Sequence, residues 1–321
     1  MKMQMRTLGR SGIQVSPLGL GTWAAGGPTT HGGLQSGWGF VDDDELLGAM
    51  ERALELGVNF IDTADVYGTG HSEELIGRFL QGKRDRVVVA TKFGFEYDED
   101  KREIWGGRGD PEYVRWACEQ SLRRLGIECI DLYQFHLGGY DGDAVATRGT
   151  LEELVAEGKI RWYGWSTDAP ERARLFAEGE HCCAVQQGLS VLGGNLETLA
   201  VCEELNLASI NRGPLVKGLL SGKFTRDSTF PDNDTRMRWN LRDGNEARQL
   251  ELFAQVRELL TCGGRTPAQG ALCWLWARSD KTIPIPGFKT VAQVEENARA
   301  MDFGPLPADV MAEIERVLGR E

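Results

Sequence analysis

The 321-residue sequence has no apolar run approaching the ~20 residues that a membrane-spanning helix requires. Its opening, Met1-Lys2-Met3-Gln4-Met5-Arg6, lacks the apolar core of a secretory leader. The expected location is therefore the cytoplasm, with no membrane partner. Basic residues are scarce, 36 Lys and Arg against 48 Asp and Glu, for a formal net charge of -12. A field of that sign argues against nucleic acid as a partner, although a local basic pocket could still hold a phosphate. Only four histidines occur, at 31, 71, 136 and 181, without HxH or HExxH spacing. Seven cysteines (118, 129, 182, 183, 202, 262 and 273) form no CxxC pair. Neither a metal site nor a disulfide framework is expected.

What is present is 41% hydrophobic and 26% charged residues, enough for a sizeable core. Residues 6–16 alternate around Ser11-Gly12, the pattern of a β-hairpin that plugs or flanks the main body. A strand over Leu18–Thr22, a Gly-rich polar loop over 24–40 and a helix over Asp42–Glu55 follow. Apolar runs then alternate with amphipathic helices. The runs are Val58–Asp62, Val87–Lys92, Ile130–His136, Trp162–Ser166, Ala184–Gln186, Ala208–Asn211 and Thr282–Pro286. Helices are expected near 72–81, 111–125, 147–157, 169–178, 195–205, 266–278 and 290–300, with Thr266-Pro267 as the sharpest start signal.

With Leu18–Thr22 there are eight strand-like runs, and no division into two halves separates them. That favours a closed (β/α)8 TIM barrel, one domain over 1–321 with an N-terminal β-hairpin. Extra helices are expected at Asn245–Leu260 and Pro307–Leu318. The irregular stretch 213–245 is long enough to be functional.

In such a barrel the C-terminal strand ends surround the active site. Those ends carry Thr22, Asp62, Lys92, His136, Ser166, Gln186 and Arg212. Tyr67 follows Asp62 in a Gly-bounded loop. A phenol donates a proton poorly at neutral pH unless a cation stabilises its phenolate, and Lys92, held charged by Asp62, is that cation. His136 is placed to orient a substrate oxygen. Asp62 with Lys92 alone also reads as a structural ion pair. Together the four make a proton donor for a carbonyl oxygen, and with no nucleophile or metal in view a nicotinamide hydride fits as the attacking group. Gly19-x-Gly21-x-x-Ala24 is not a dinucleotide fingerprint, because no helix opens there. Ile285-Pro286-Gly287-Phe288-Lys289-Thr290, a strand end running into a helix, is the better phosphate site.

The chain at this point resembles the aldo-keto reductase family, bacterial type, related to the branch of the potassium-channel β subunits. The motifs that carry the resemblance are Gly19–Trp23, Asn59–Gly68 with His71–Glu74, Thr91–Gly94, Asp131–His136 and Gly158–Arg161, then Arg212–Leu215 with Gly218–Lys223, and Ile285–Asn297. The resemblance implies a TIM barrel that binds NADPH without a separate nucleotide domain and reduces a small-molecule carbonyl, with Tyr67 as general acid supported by Asp62, Lys92 and His136. It implies that Ser166 and Gln186, with Thr167 in a position that is often Asn, meet the carboxamide, and that Thr22, Trp23 and Asp62 line the nicotinamide end. Arg212, Gly213, Pro214, Leu215, Gly218 and Lys223 would run along the ring and pyrophosphate. Arg236 would close over the cofactor. Gly287 and Phe288 would belong to the loop that holds the cofactor, Lys289 and Gln293 would meet the 2′-phosphate, and Glu296 and Asn297 the adenine.

Arg212 stands where the family usually has a stacking aromatic, and a planar guanidinium can also stack. No second basic residue adjoins Lys289 in the chain, so NADH is expected to be accepted as well as NADPH. Trp38, Trp105 and Trp239 are expected as aromatic walls of the substrate pocket, with a purely structural role the equal alternative. A cofactor-binding regulatory subunit on the same barrel is the rival function. A glycoside hydrolase would need two carboxylates across the pocket, and the strand ends do not supply them.

Overall fold

Inward-facing side chains recur at every second residue along eight parallel strands, and their chemistry changes from apolar to polar along the barrel axis. The computed structural model describes residues 3–320; Met1, Lys2 and Glu321, at the ends of the N-terminal and domain readings above, lie outside the described residues. The strands are Gly19–Gly21, Phe60–Asp62, Val88–Phe93, Ile130–Phe135, Ile160–Ser166, Cys182–Ser190, Ala208–Arg212 and Thr282–Pro284, paired in chain order. A parallel bridge between Gly21 and Gly287, with the Gly21 amide donating to the Pro286 carbonyl at 3.1 Å, brings the last strand back to the first. The barrel is therefore nearly closed, with few exposed strand edges.

Phe60, Ala90, Leu132, Ala184, Ile210 and Ile283 fill the lower interior. Two residues further along the second, third, fourth and sixth of these strands the same face presents Asp62, Lys92, Gln134 and Gln186. Residues of opposite parity, such as Ile61, Val89, Tyr133 and Trp165, pack against the helices. The N-terminal strands Arg6–Thr7 and Gln14–Val15 form the expected antiparallel hairpin. Its Leu8, Ile13 and Val15 join the lower interior and plug the bottom of the barrel.

Six of the eight barrel helices start at a side-chain cap. Asp42 accepts the Glu45 amide at 2.9 Å and caps Asp43–Glu55, whose first turn is acidic, a cap of the kind worth ~1 kcal/mol. Thr266 and Gln269 form a reciprocal capping box ahead of Pro267–Arg278. Thr290 caps Val291–Arg299. The extra helices Asn245–Leu260 and Ala308–Val317 form as expected.

The loops differ from the sequence reading. Residues 24–40 are not simply irregular: Thr30–His31 and Leu34–Gln35 pair across a two-residue turn in which Gly32 (φ 55°) and Gly33 (φ 77°) are both left-handed. Thr30–His31 continues in parallel with Glu103–Gly107, which pairs with Phe95–Asp98. The result is a four-stranded sheet outside the barrel. Strands of two residues are too short to show alternation in a sequence.

Candidate active site

The second and third strands carry the centre of the site. Lys92 has no exposure to solvent and Asp62 almost none. The Lys92 ammonium donates to Asp62 Oδ2 at 2.7 Å, to the Thr63 carbonyl at 2.6 Å and to the Tyr67 hydroxyl at 3.3 Å. Three partners for three N–H donors make this buried cation fully satisfied. Gln186 and Gln134 donate to the other Asp62 oxygen at 2.7 and 3.1 Å. Burial pushes the lysine toward its neutral form, but Asp62 and Tyr67 outweigh it, and its pKa lies above the ordinary value.

Tyr67 is positioned by backbone close to the barrel. The Thr63 and Asp65 amides donate to the carbonyls of Ala90 and Lys92 at 2.8 and 3.1 Å, stitching the loop to the third strand. On its other side the loop meets the turn Trp23–Gly26, where a Cβ on Gly26 would lie 2.4 Å from the Gly68 nitrogen. Only glycine allows that approach. Burial raises the Tyr67 pKa above its ordinary value, with Lys92 opposing and Asp62 adding to the rise. The phenol is thus a proton carrier whose anion would form against an ammonium. Desolvation is the largest influence on the resting phenol, and Lys92 is the group that opposes it.

His136 follows the fourth strand and stands edge-on to Tyr67, ring centroids 5.8 Å apart, and to Phe95 at 5.1 Å. Burial, then Lys92 and Arg212, depress its pKa well below the ordinary value, so the imidazole is neutral at neutral pH. Its Nδ1 is buried without a partner.

These residues open into a cavity of about 720 Å³. Of the expected site residues, Thr22, Trp23, Asp62, Tyr67, His136, Ser166, Gln186, Arg212, Gly213, Pro214, Leu215, Gly218, Lys223, Arg236, Gly287, Phe288, Lys289, Gln293, Glu296 and Asn297 line it, with Trp38. Lys92 stands directly behind. Three others do not line it either. Thr167 is buried, its hydroxyl donating to the Gly138 carbonyl at 3.2 Å. Trp105 is 56% exposed and borders a separate hollow with Tyr113 and Trp116. Trp239 packs edge-on against Phe224 and Phe230. Sequence reasoning missed Gln134, whose inward parity with Leu132 was its one signal, and the cavity-lining His31, Phe95, Ile104 and Lys217.

In the cavity lining, Arg236 and Lys223 both act electrostatically on Lys289. The chain separates them by tens of residues, and the fold supplies the second basic group that the sequence does not place beside Lys289. Arg236 forms a two-point pair with Asp234, Nε to Oδ1 at 2.9 Å and Nη2 to Oδ2 at 2.8 Å, and lies over the rings of Trp38, Phe224 and Phe230. Lys289 donates to the Trp38 carbonyl at 2.5 Å. The Thr235 amide donates to the Gly37 carbonyl at 2.8 Å, and Trp38 bridges Asp234. These contacts make a strap across the cavity. At the barrel rim Arg212 pairs with Asp168, whose other oxygen accepts the Gly188 amide at 2.6 Å.

The geometry can be set beside known proteins. Residues 17–318 match the model of the aldo/keto reductase family. A curated relative, the aldo-keto reductase yakc [NADP(+)] of Schizosaccharomyces pombe, is 33% identical over 277 residues, 84% of this chain and 81% of its own. The glycerol dehydrogenase AKR11B4 of Gluconobacter oxydans is 31% identical and superposes with a TM-score of 0.85, covering 99% of this chain and 95% of that one. An aldo/keto reductase of Klebsiella pneumoniae in complex with NADP and acetate is 26% identical, with a TM-score of 0.72 and coverage of 99% and 97%. A nearly closed eight-stranded barrel, a match over almost its whole length and a relative at one third identity agree: the chain belongs to the aldo/keto reductase family.

Proposed function

We propose that this chain is an NADPH-dependent reductase of small aldehydes or ketones, acting reversibly, with Tyr67 as general acid. The observation that carries the reading is the fully buried Lys92 held between Asp62 at 2.7 Å and the Tyr67 hydroxyl at 3.3 Å, beside a neutral imidazole.

The residues present fit the cofactor. Lys223, Arg236 and Lys289 offer cationic character for phosphate, while Gln293, Glu296 and Asn297 present polar groups along one helix. Ser166 ends the fifth strand and lines the cavity, and Gln186, inside the sixth strand and not at its end as the sequence suggested, donates to Asp62. The fission yeast relative is an NADP(+) aldo-keto reductase by name and the Klebsiella relative is in complex with NADP, which supports the same cofactor here. With the cationic groups gathered around Lys289, NADPH is the preferred form and NADH the weaker one. When bound, the nicotinamide supplies a hydride to the carbonyl carbon.

The chain's own part is the proton. Tyr67 gives its proton to the carbonyl oxygen, and the phenolate that results faces Lys92. That attraction strengthens as charge develops against a wholly buried ammonium, so it lowers the barrier more than it tightens ground-state binding. Asp62, fixed by Gln134 and Gln186, keeps Lys92 charged. His136, neutral, offers a ring nitrogen to the carbonyl oxygen and sets its direction. The complete set favours an enzyme over a regulatory subunit of the potassium-channel β type.

The test is NADPH oxidation across a panel of small aldehydes, ketoses and aromatic ketones. Tyr67→Phe should lower kcat by about a thousandfold while the Kd for NADPH, read by fluorescence, stays within about twofold. Turnover retained in that variant would overturn the assignment.

A further inference from the structure

Among the described residues, the cations around the cavity differ in how they are held. Arg212 is tied to Asp168, Arg236 to Asp234 and Lys289 to the Trp38 carbonyl, while Lys223 is exposed to water. Lys217 is half-buried, and its ammonium makes neither a hydrogen bond nor an ion pair; it lies 5.3 Å from the centroid of the Trp23 ring. The backbone that presents it is under strain. Val216 (φ 48°) and Lys217 (φ 50°) are both left-handed, followed by Gly218 (φ 88°). A β-branched residue in that region is an outlier, and L residues adopt it where the surroundings enforce it.

The position of the ammonium is informative. Trp23 stands 6.4 Å from the Tyr67 ring and 5.2 Å from Trp38, so Lys217 is one aromatic ring away from the proton donor. The wall beside Tyr67 is apolar, made by Val66, Phe95 and Ile104. Burial and then Arg238 hold the Lys217 pKa below the ordinary lysine value, the condition in which an incoming anion is welcomed. Asp234 and Glu246 act to keep it charged, and Arg236 acts against them.

Resting on the reductase reading above, we propose that Lys217 is a specificity-determining residue that receives the carboxylate of an aldehyde substrate carrying that group away from its reacting carbon. The strained turn aims the ammonium, Trp23 supplies the face along which the substrate body lies, and Tyr67 meets the carbonyl. A carboxylate–ammonium contact in a half-buried site is a charge-assisted hydrogen bond, and its loss corresponds to about tenfold or more in affinity.

The experiment compares 4-carboxybenzaldehyde with benzaldehyde, using NADPH, in the wild type, Lys217→Met and Lys217→Arg. The ratio of kcat/KM for the carboxylated over the uncharged aldehyde should fall about tenfold in Lys217→Met, through KM, and recover in Lys217→Arg. An unchanged ratio in Lys217→Met overturns the proposal. So does a Kd for NADPH that weakens by the same factor, since the cation would then serve the cofactor phosphates. If the wild type reduces neither these two aldehydes nor any member of the wider carbonyl panel, the reductase reading fails on its own account. Equilibrium binding of the same two aldehydes to the NADPH-loaded protein, read by tryptophan fluorescence, still decides Lys217. A preference for the carboxylated aldehyde that disappears in Lys217→Met upholds the assignment, and equal binding overturns it.

Discussion

His136 shows what burial does to a single group. Its imidazole is pressed toward the neutral form, so the unfolded chain binds protons that the folded chain refuses once the pH drops below 6.5, the ordinary value. Because the folded pKa is depressed, the associated stability is fully present above 6.5 and is lost as pH falls toward the folded value. Between pH 7.5 and 5.5 this one group should remove on the order of 1 kcal/mol of stability. Urea unfolding of the wild type and His136→Gln at both pH values should show the extra loss in the wild type only. At Lys289 the relevant quantity is discrimination. Lys289→Ala should weaken NADPH by about tenfold and NADH by much less, read as two dissociation constants; equal changes would remove Lys289 from the 2′-phosphate site.

At the scale of elements, the second barrel helix, His71–Leu80, is locked to the third, Pro111–Leu125, by a buried pair. Glu73 is wholly buried, accepts from the Thr91 hydroxyl and receives Arg124 Nε at 2.8 Å. Arg124→Met leaves that carboxylate buried beside Asp65, and should destabilise the protein by ~3 kcal/mol in urea unfolding. Adding Glu73→Gln should restore a large share, since breaking a buried pair costs more than replacing it. The barrel strands and helices were legible because apolar runs ending in a polar residue alternate with capped amphipathic segments. Asp62, Lys92 and His136 end such runs, and so were readable. Gln134 was hidden inside one, since only its register with Leu132 places it inward. The outer sheet escaped because its pairing joins residues 30–35 to 95–107, and no local pattern encodes a partner so far along the chain. The same distance concealed the meeting of Lys223, Arg236 and Lys289, and Lys217 carried no signal beyond a lysine between apolar neighbours.

Across the whole molecule, the two ends of the barrel are chemically opposite. The bottom is hydrocarbon closed by a hairpin, and the top is a charge pair facing a cavity. Leu8 is entirely buried in that lower interior, and Leu8→Ala should cost about 3 kcal/mol in urea unfolding. Turnover per folded molecule should stay unchanged, because the loss lies at the far end of the axis from Tyr67; a matching fall in kcat would mean that the plug sets the geometry of the top. The outer sheet has the reverse character. His31, Phe95 and Ile104 reach the cavity from strands that hydrogen-bond to one another, whereas Tyr67, Lys92 and Asp62 are fixed by the barrel itself. On the proposed reading, the chemistry and one wall of the pocket are thus written on separate pieces of backbone. The hairpin Thr30–Gln35 could be lengthened or resequenced in a descendant of this chain and change what is reduced while leaving how it is reduced in place, so a family built on this plan can diversify its substrates without rediscovering its reaction.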